Sequence, residues 1–336
     1  MRTKLAKPLA AAFAAALIAG FVPAVGTADE DNRTALPADL VQAAGAYQAY
    51  MQRASAIRAD FADGKAVSDA LTEGASYEVG QMEEGQIAYG ALVALQDRDF
   101  VRGVRRAAAD GESRRRLAAD LLYNPHVVLQ LDGAAGAGSL VAAALRSDGE
   151  SVHRAGKGVK QSAYDLQRQP WSKQTVPNAA ARLARAKALS ARAYTPGPDE
   201  TARLVTKASD MRGTVAARNY SPSRTVAKSL ALAALAVTGE ADGPKDRFAP
   251  LLQDASARTC LRMAKLNLFQ CLAVSGPHYE DMFCVGQHAL MDTGKCVSDA
   301  AAGTSSRSAA MDGPPRSIAP RDAMTTLAFY SPTAGE

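Results

Sequence analysis

CLRMAKLNLFQCLAVSGPHYEDMFCVGQHALMDTGKC, residues 260–296, holds all four cysteines of the 336-residue chain and two of its four histidines. Ser275-Gly276-Pro277 interrupts the stretch with residues that favour a turn over continued helix. On both sides of it apolar residues recur at helical spacing, so the stretch reads as an antiparallel helical hairpin. Helix geometry then restricts the disulfides. Cys260 and Cys271 fall on one helix, about 16 Å apart along its axis, whereas a disulfide tolerates about 7 Å between Cα atoms. They cannot pair with each other, which leaves two connectivities. Counted from Gly276, Cys271 lies five residues before and Cys284 eight after; Cys260 lies sixteen before and Cys296 twenty after. Nested pairs, Cys271 with Cys284 and Cys260 with Cys296, differ in level by only three and four residues, so the nested order is expected. The spacings hold no close thiol pairs of the kind that zinc or C-x-x-C redox sites use.

Outward from the hairpin, the rest of the chain also reads as helix. Ala, Leu, Arg and Gln predominate, and runs of β-branched and aromatic residues are scarce. Amphipathic segments are expected at 37–61, 67–73, 77–109, 140–146, 151–168, 178–194 and 200–212, with breakers such as Asp63-Gly64 and Thr195-Pro196-Gly197-Pro198 between them. Residues 226–237 are apolar on all sides, the mark of a central helix. Gly80, Gly85 and Gly90 recur along 77–109, where they would let another helix approach closely. The run Gly133-Ala-Ala-Gly-Ala-Gly138 follows the apolar residues 127–131 and imitates a nucleotide-binding turn, but its G-x-x-G-x-G spacing is not the dinucleotide fingerprint. It reads as a helix–helix connection. Trp171, the sole tryptophan, reads as a core anchor. The fold class is therefore all-α: a multi-helix domain at 29–297 that ends in the stapled hairpin at 254–297. An Ala/Ser/Pro-rich tail follows at 298–336, with one short apolar piece at 327–330.

The first residues bear on location. Arg2, Lys4 and Lys7 precede an Ala-rich apolar run, and Gly26-Thr27-Ala28 offers small residues for cleavage, so residues 1–28 read as a secretory signal peptide. The run is shorter than the roughly 20 residues of a bilayer-spanning helix. The chain is expected to be exported, periplasmic or extracellular, with no membrane span after cleavage. The signal carries three basic and no acidic residues; without it, 36 Lys and Arg face 34 Asp and Glu. That near balance, with only 6% aromatic residues, argues against nucleic acid as a partner.

Two clusters carry candidate chemistry. At 100° per residue, His278, Asp281, His288 and Asp292 fall on one face of the second hairpin arm, residue types that bind a transition metal. His278 and His288 are about 15 Å apart along a helix axis, so a metal there would need a ligand from elsewhere, such as Glu83 or Glu84. The other cluster, Arg102, Arg105, Arg106, Arg114, Arg115 and Arg116, could meet an anionic cell-wall polymer, although Asp97, Asp99, Asp110 and Glu112 lie among the arginines. The motifs H-E-x-x-H, G-x-S-x-G and S-x-x-K do not occur. These readings support an exported, non-enzymatic envelope or partner-binding module, for example one that binds another envelope protein. A metal-assisted hydrolase or oxidoreductase using the His/Asp face is the alternative.

Overall fold

The computed structural model describes residues 36–210, 222–242 and 245–302. The signal at 1–28 and the apolar piece at 327–330 lie outside the described residues. Among the described residues the elements are helices: α1 (Ala38–Ser55), α2 (Gly64–Ala75), α3 (Val79–Ala94), α4 (Arg98–Ala107), α5 (Gly111–Tyr123), α6 (Ala134–Leu166), α7 (Ala179–Ser190), α8 (Pro198–Asp210), α9 (Arg224–Val237), α10 (Ala255–Val274), α11 (His278–Cys284) and α12 (Thr293–Ala301). A short 3₁₀ stretch, Pro125–Gln130, stands where the apolar residues before the Gly-rich run lie, and a π-helical segment, Val285–Asp292, joins α11 to α12.

Most helix starts are set by one short polar or acidic side chain. Asp63, Glu78, Asp97, Asp110, Asn178, Ser223 and Asp254 each accept a hydrogen bond from a backbone N–H in the first turn that follows. Those N–H groups have no partner within their own helix. Asp97 explains why the expected helix over 77–109 is two. Its carboxylate accepts from Asp99 and Phe100 N–H and starts α4 afresh after Leu95. In the opposite sense, 140–146 and 151–168 belong to one 33-residue helix, α6. Within the polar run between them Asp148 is buried and accepts from Lys207 Nζ at 2.7 Å and from Gln48 Nε2 at 2.5 Å, while Ser147 and Glu150 face outward. The hairpin's second arm likewise runs on to Ala301, a few residues past the boundary expected for the tail.

Helix α9 is buried from Thr225 to Ala236 and packs against α3, which also lies along α1. Two of the three α3 glycines serve close approach. A Cβ on Gly85 would strike the Ala43 carbonyl of α1, and one on Gly90 would strike the Ser229 side chain of α9. Gly80 meets only the cap of its own helix, Glu78. Of the Gly-rich run, Gly133 takes φ +80° as the N-cap of α6 and lies against the backbone of Phe100 in α4.

The hairpin is stapled as Cys260–Cys296 and Cys271–Cys284, with Cα–Cα distances of 5.6 and 5.7 Å. Sequence separations of 36 and 13 correspond to about 4 and 3 kcal/mol of lost unfolded-chain entropy. Its second arm lies along α6 through glycine contacts: Gly149 meets Gly294, and Gly156 meets Gly286. These pairs are seven residues apart on α6 but eight apart on the arm. The π-helical segment, which winds with more residues per turn, takes up the extra residue and keeps both arm glycines facing α6.

Candidate functional site

A cavity of about 470 Å³ lies beside the hairpin turn, between α2, α7 and the start of α11. Its walls are mainly apolar, from Leu71, Val176, Pro177, Ala181, Ala186 and Leu189; its ionisable groups come from Lys65, Arg182, Arg185, His278 and Asp281, and Ser68, Thr72 and Asn178 add neutral polar ones. Two of the residues expected at a site, His278 and Asp281, therefore face one cavity.

Local structure explains their placement. The segment after α6 pairs with the hairpin turn: Val176 N–H donates to the Gly276 carbonyl at 2.9 Å, His278 N–H to that of Gln174 at 3.2 Å, and Tyr279 N–H to that of Ser172 at 3.2 Å. This clamp fixes the backbone of His278. Its ring lies against Gly64 at the start of α2, where any side chain would collide with the imidazole. Trp171, half-buried rather than central, has its ring centroid 6.3 Å from that of His278. Among the described residues the His278 ring nitrogens have no hydrogen-bond partner.

Beneath His278, Arg182 and Asp281 form a buried ion pair at 2.5 Å, with side chains only 8% and 4% exposed. Asp281 also accepts from Ser275 Oγ at 2.8 Å. Arg182 donates in addition to the carbonyls of Leu272 and Ser275, at the C-terminal end of α10, where a cation is favoured. One guanidinium thus ties α7 to both arms of the hairpin. Burial pushes the Asp281 carboxyl above its ordinary value, while Ser275 and Arg182 pull in the opposite direction. Arg182 Nε is buried without a partner among the described residues. Arg185, three residues on, is exposed, and its guanidinium has no ion-pair partner among the described residues.

His288 and Asp292 are not part of this cavity. His288 Nδ1 lies 2.8 Å from Asp292 Oδ2, and Gln287 Nε2 donates to the other carboxylate oxygen at 2.9 Å. Burial acts against the Asp292 charge, but those hydrogen bonds outweigh it and hold the carboxyl below its usual range. The four residues divide into two pairs because the shared face assumed 100° per residue throughout the arm, and the π-helical segment breaks that register between Asp281 and His288. Glu83 is engaged elsewhere, with Arg258 Nε at 2.6 Å and the backbone N–H of Asp254; burial raises its carboxyl against both bonds. Glu84 lines a second cavity of about 650 Å³ together with Asp39, Glu78 and Asp246. No three His, Cys, Asp or Glu side chains among the described residues gather as a metal ion would require.

In the arginine cluster, Arg102 pairs with Asp99, Arg106 with Asp132 at 2.8 Å and Arg116 with Glu112 at 2.5 Å, all on the exposed surface. Arg114 and Arg115 are exposed on α5. Such exposed pairs contribute about 0–1 kcal/mol each.

Several functional groups were not singled out in the sequence. Arg182 is 99 residues from Asp281, and nothing local announces the pair. Lys265 did leave a signal: it shares the buried stripe of α10 with Leu261, Leu268 and Leu272. It is 5% exposed, donates to the Ala75 carbonyl at 2.5 Å and to Ser190 Oγ at 3.0 Å, and lies 3.5 Å from the centroid of the Tyr77 ring. Burial drives its ammonium well below the ordinary value, opposed only by the more distant charge of Glu78.

No helix among the described residues is long and apolar enough to cross a membrane. Comparison with protein-family models, curated proteins and solved structures finds no match to this chain.

Proposed function

We propose that this protein is an exported, non-enzymatic binding module and that the cavity beside His278 is its ligand site. The observation that carries the reading is the cavity itself. About 470 Å³ of mainly apolar space meets a small set of convergent polar groups, His278, Arg185 and the Arg182–Asp281 pair, the usual make-up of a small-molecule site. Its frame is rigid: the Cys271–Cys284 disulfide, the Arg182 contacts and the backbone clamp to Gly276 all hold the hairpin turn. Pre-organisation of this kind lowers the ordering cost of binding. Binding rather than catalysis is favoured because the buried acid, Asp281, is already committed to Arg182 and Ser275.

Export rests on the signal-like residues 1–28 and fits two disulfides, which persist in oxidising compartments. N-terminal sequencing of protein recovered outside the cytoplasm should begin at Asp29; a mature chain that still starts at Met1 contradicts it. The cavity reading is tested with an uncharged solvatochromic naphthyl ketone. It should bind the wild-type protein saturably and lose binding in Ala181→Phe, which fills the cavity from an exposed position on α7. Equal binding to Ala181→Phe, or none to either protein, contradicts the reading.

A further inference from the structure

We infer that the ligand of this cavity is an amphiphilic carboxylate, with its apolar body along α7 and α2 and its carboxylate at Arg185 and His278. The inference rests on the cavity being a binding site and adds the chemical class of what binds. Charge accounting around the cavity leads to it. Asp281 is answered by Arg182 at 2.5 Å, and Lys65 by Asp69 at 2.6 Å. Asp63 and Glu280 keep their charges but do not line the cavity: Asp63 caps α2 through Ala66 N–H at 2.8 Å, and Glu280 accepts from Gly276 N–H at 2.7 Å on the side of the turn that faces a different cavity. Of the charged groups that line the cavity, Arg185 is then the one with no acid in contact among the described residues.

An amine ligand would face that guanidinium, and among the described residues the acid that lines the cavity, Asp281, is already held by Arg182. A carboxylate matches it, because the planar fork of Arg offers two parallel donors to two oxygens. His278 adds a ring nitrogen with no other partner among the described residues, on a backbone fixed by Gln174. Most of the rest of the wall, Leu71, Ala186 and Leu189 among it, is apolar, with Ser68, Thr72 and Asn178 as its neutral polar residues, and is poorly suited to solvate a highly charged polar ligand. One surplus cation in a mainly apolar cavity therefore fits a single negative charge on an apolar body.

Trp171 makes the proposal measurable without a label. It is the sole tryptophan, and its ring lies 6.3 Å from that of His278, so ligand at His278 should change its fluorescence. Titration of the mature protein with decanoate, decanol and decylamine compares three chains that differ only in the head group. Decanoate should bind at least tenfold more tightly than decanol, and decylamine more weakly than either. Arg185→Gln, at an exposed position, should remove most of the decanoate advantage and leave decanol unchanged; Arg185→Lys should keep part of it. N-acetyl-Leu-Phe and its amide, run alongside, tell a peptide terminus from a fatty acid. A preference for either carboxylate over its uncharged counterpart supports the inference and names the source. Equal binding of decanoate, decanol and decylamine, or a decanoate affinity unmoved by Arg185→Gln, overturns the carboxylate assignment while the cavity remains a site. Absence of binding by all of these and by the uncharged naphthyl ketone overturns both.

Discussion

Two buried cations sit on the interface between α7 and the hairpin, and the fold treats them differently. Arg182, at the turn, meets a carboxylate, two backbone carbonyls and the end of a helix. Lys265, midway along α10, meets a carbonyl, a hydroxyl and the face of Tyr77, with no carboxylate in contact among the described residues. Arg182 is a structural tie whose partner would be stranded by its loss. Lys265 is a charge that burial opposes, so its removal leaves little behind: Ser190 Oγ still donates to the Ala75 carbonyl at 3.0 Å. The contrast shows that burial alone says nothing about whether a charge supports a fold; the partner that would remain decides it.

The largest expected effect breaks the Arg182 side of the comparison. Arg182→Met should destabilise the protein by about 3–5 kcal/mol, because Asp281 is left buried and unpaired. Adding Asp281→Met should restore much of that loss. Chemical denaturation of the two variants measures both, and a double mutant no better than the single would show that the carbonyl contacts, not the pair, hold the turn.

Next in size is the rung at the same end. Replacing Cys271 and Cys284 with alanine should cost about 3 kcal/mol. It sharpens the comparison by asking how much of the turn Arg182 can hold alone. A loss far above that value would mean that the ion pair depends on the rung.

Lys265→Met should be smaller and of opposite sign, a gain of about 1 kcal/mol at neutral pH. Its pH dependence carries the sign. A lysine whose folded pKa is lowered binds its proton less readily in the folded than in the unfolded chain. Above the lowered value the unfolded state therefore holds more protons, and stability rises with pH until the unfolded pKa, about 10.4, is passed. The stability gap between Lys265→Met and wild type should close along that interval. Thermal unfolding from neutral to mildly alkaline pH reads it, and a constant gap would show that the lysine loses no affinity for its proton on folding. Arg185→Gln closes the series. It should leave stability within about 0.5 kcal/mol, as an exposed change does, and any larger loss would make Arg185 structural and not a binding group.

How far the sequence anticipates these features depends on what is local. The hairpin turn and the nested disulfides follow from distances along two helices, and the central place of α9 follows from apolar residues on all its sides. Gly85 and Gly90 were legible as close-approach points for the same reason. The face of His278, Asp281, His288 and Asp292 was not, since it relied on a constant 100° step that the π-helical segment at Val285–Asp292 abolishes. The eight-residue spacing of Gly286 and Gly294 against seven for Gly149 and Gly156 is the trace of that segment in the sequence, readable only once the helices are known to pack. The cavity depends on α7, and the Arg182–Asp281 contact spans 99 residues, so no local pattern encodes it. Lys265 is an intermediate case: a lysine within an apolar stripe was visible, but its lack of a carboxylate was not.

We propose the cavity beside the hairpin turn as a built site in which Arg185, with no ion-pair partner among the described residues, receives an anion. The side-chain Nε–H resonance of Arg185, followed by NMR while decanoate is added, tests it most directly. The account predicts a saturable shift that decanol does not produce. A resonance that decanoate leaves unmoved, while the Trp171 fluorescence reports binding, would contradict it.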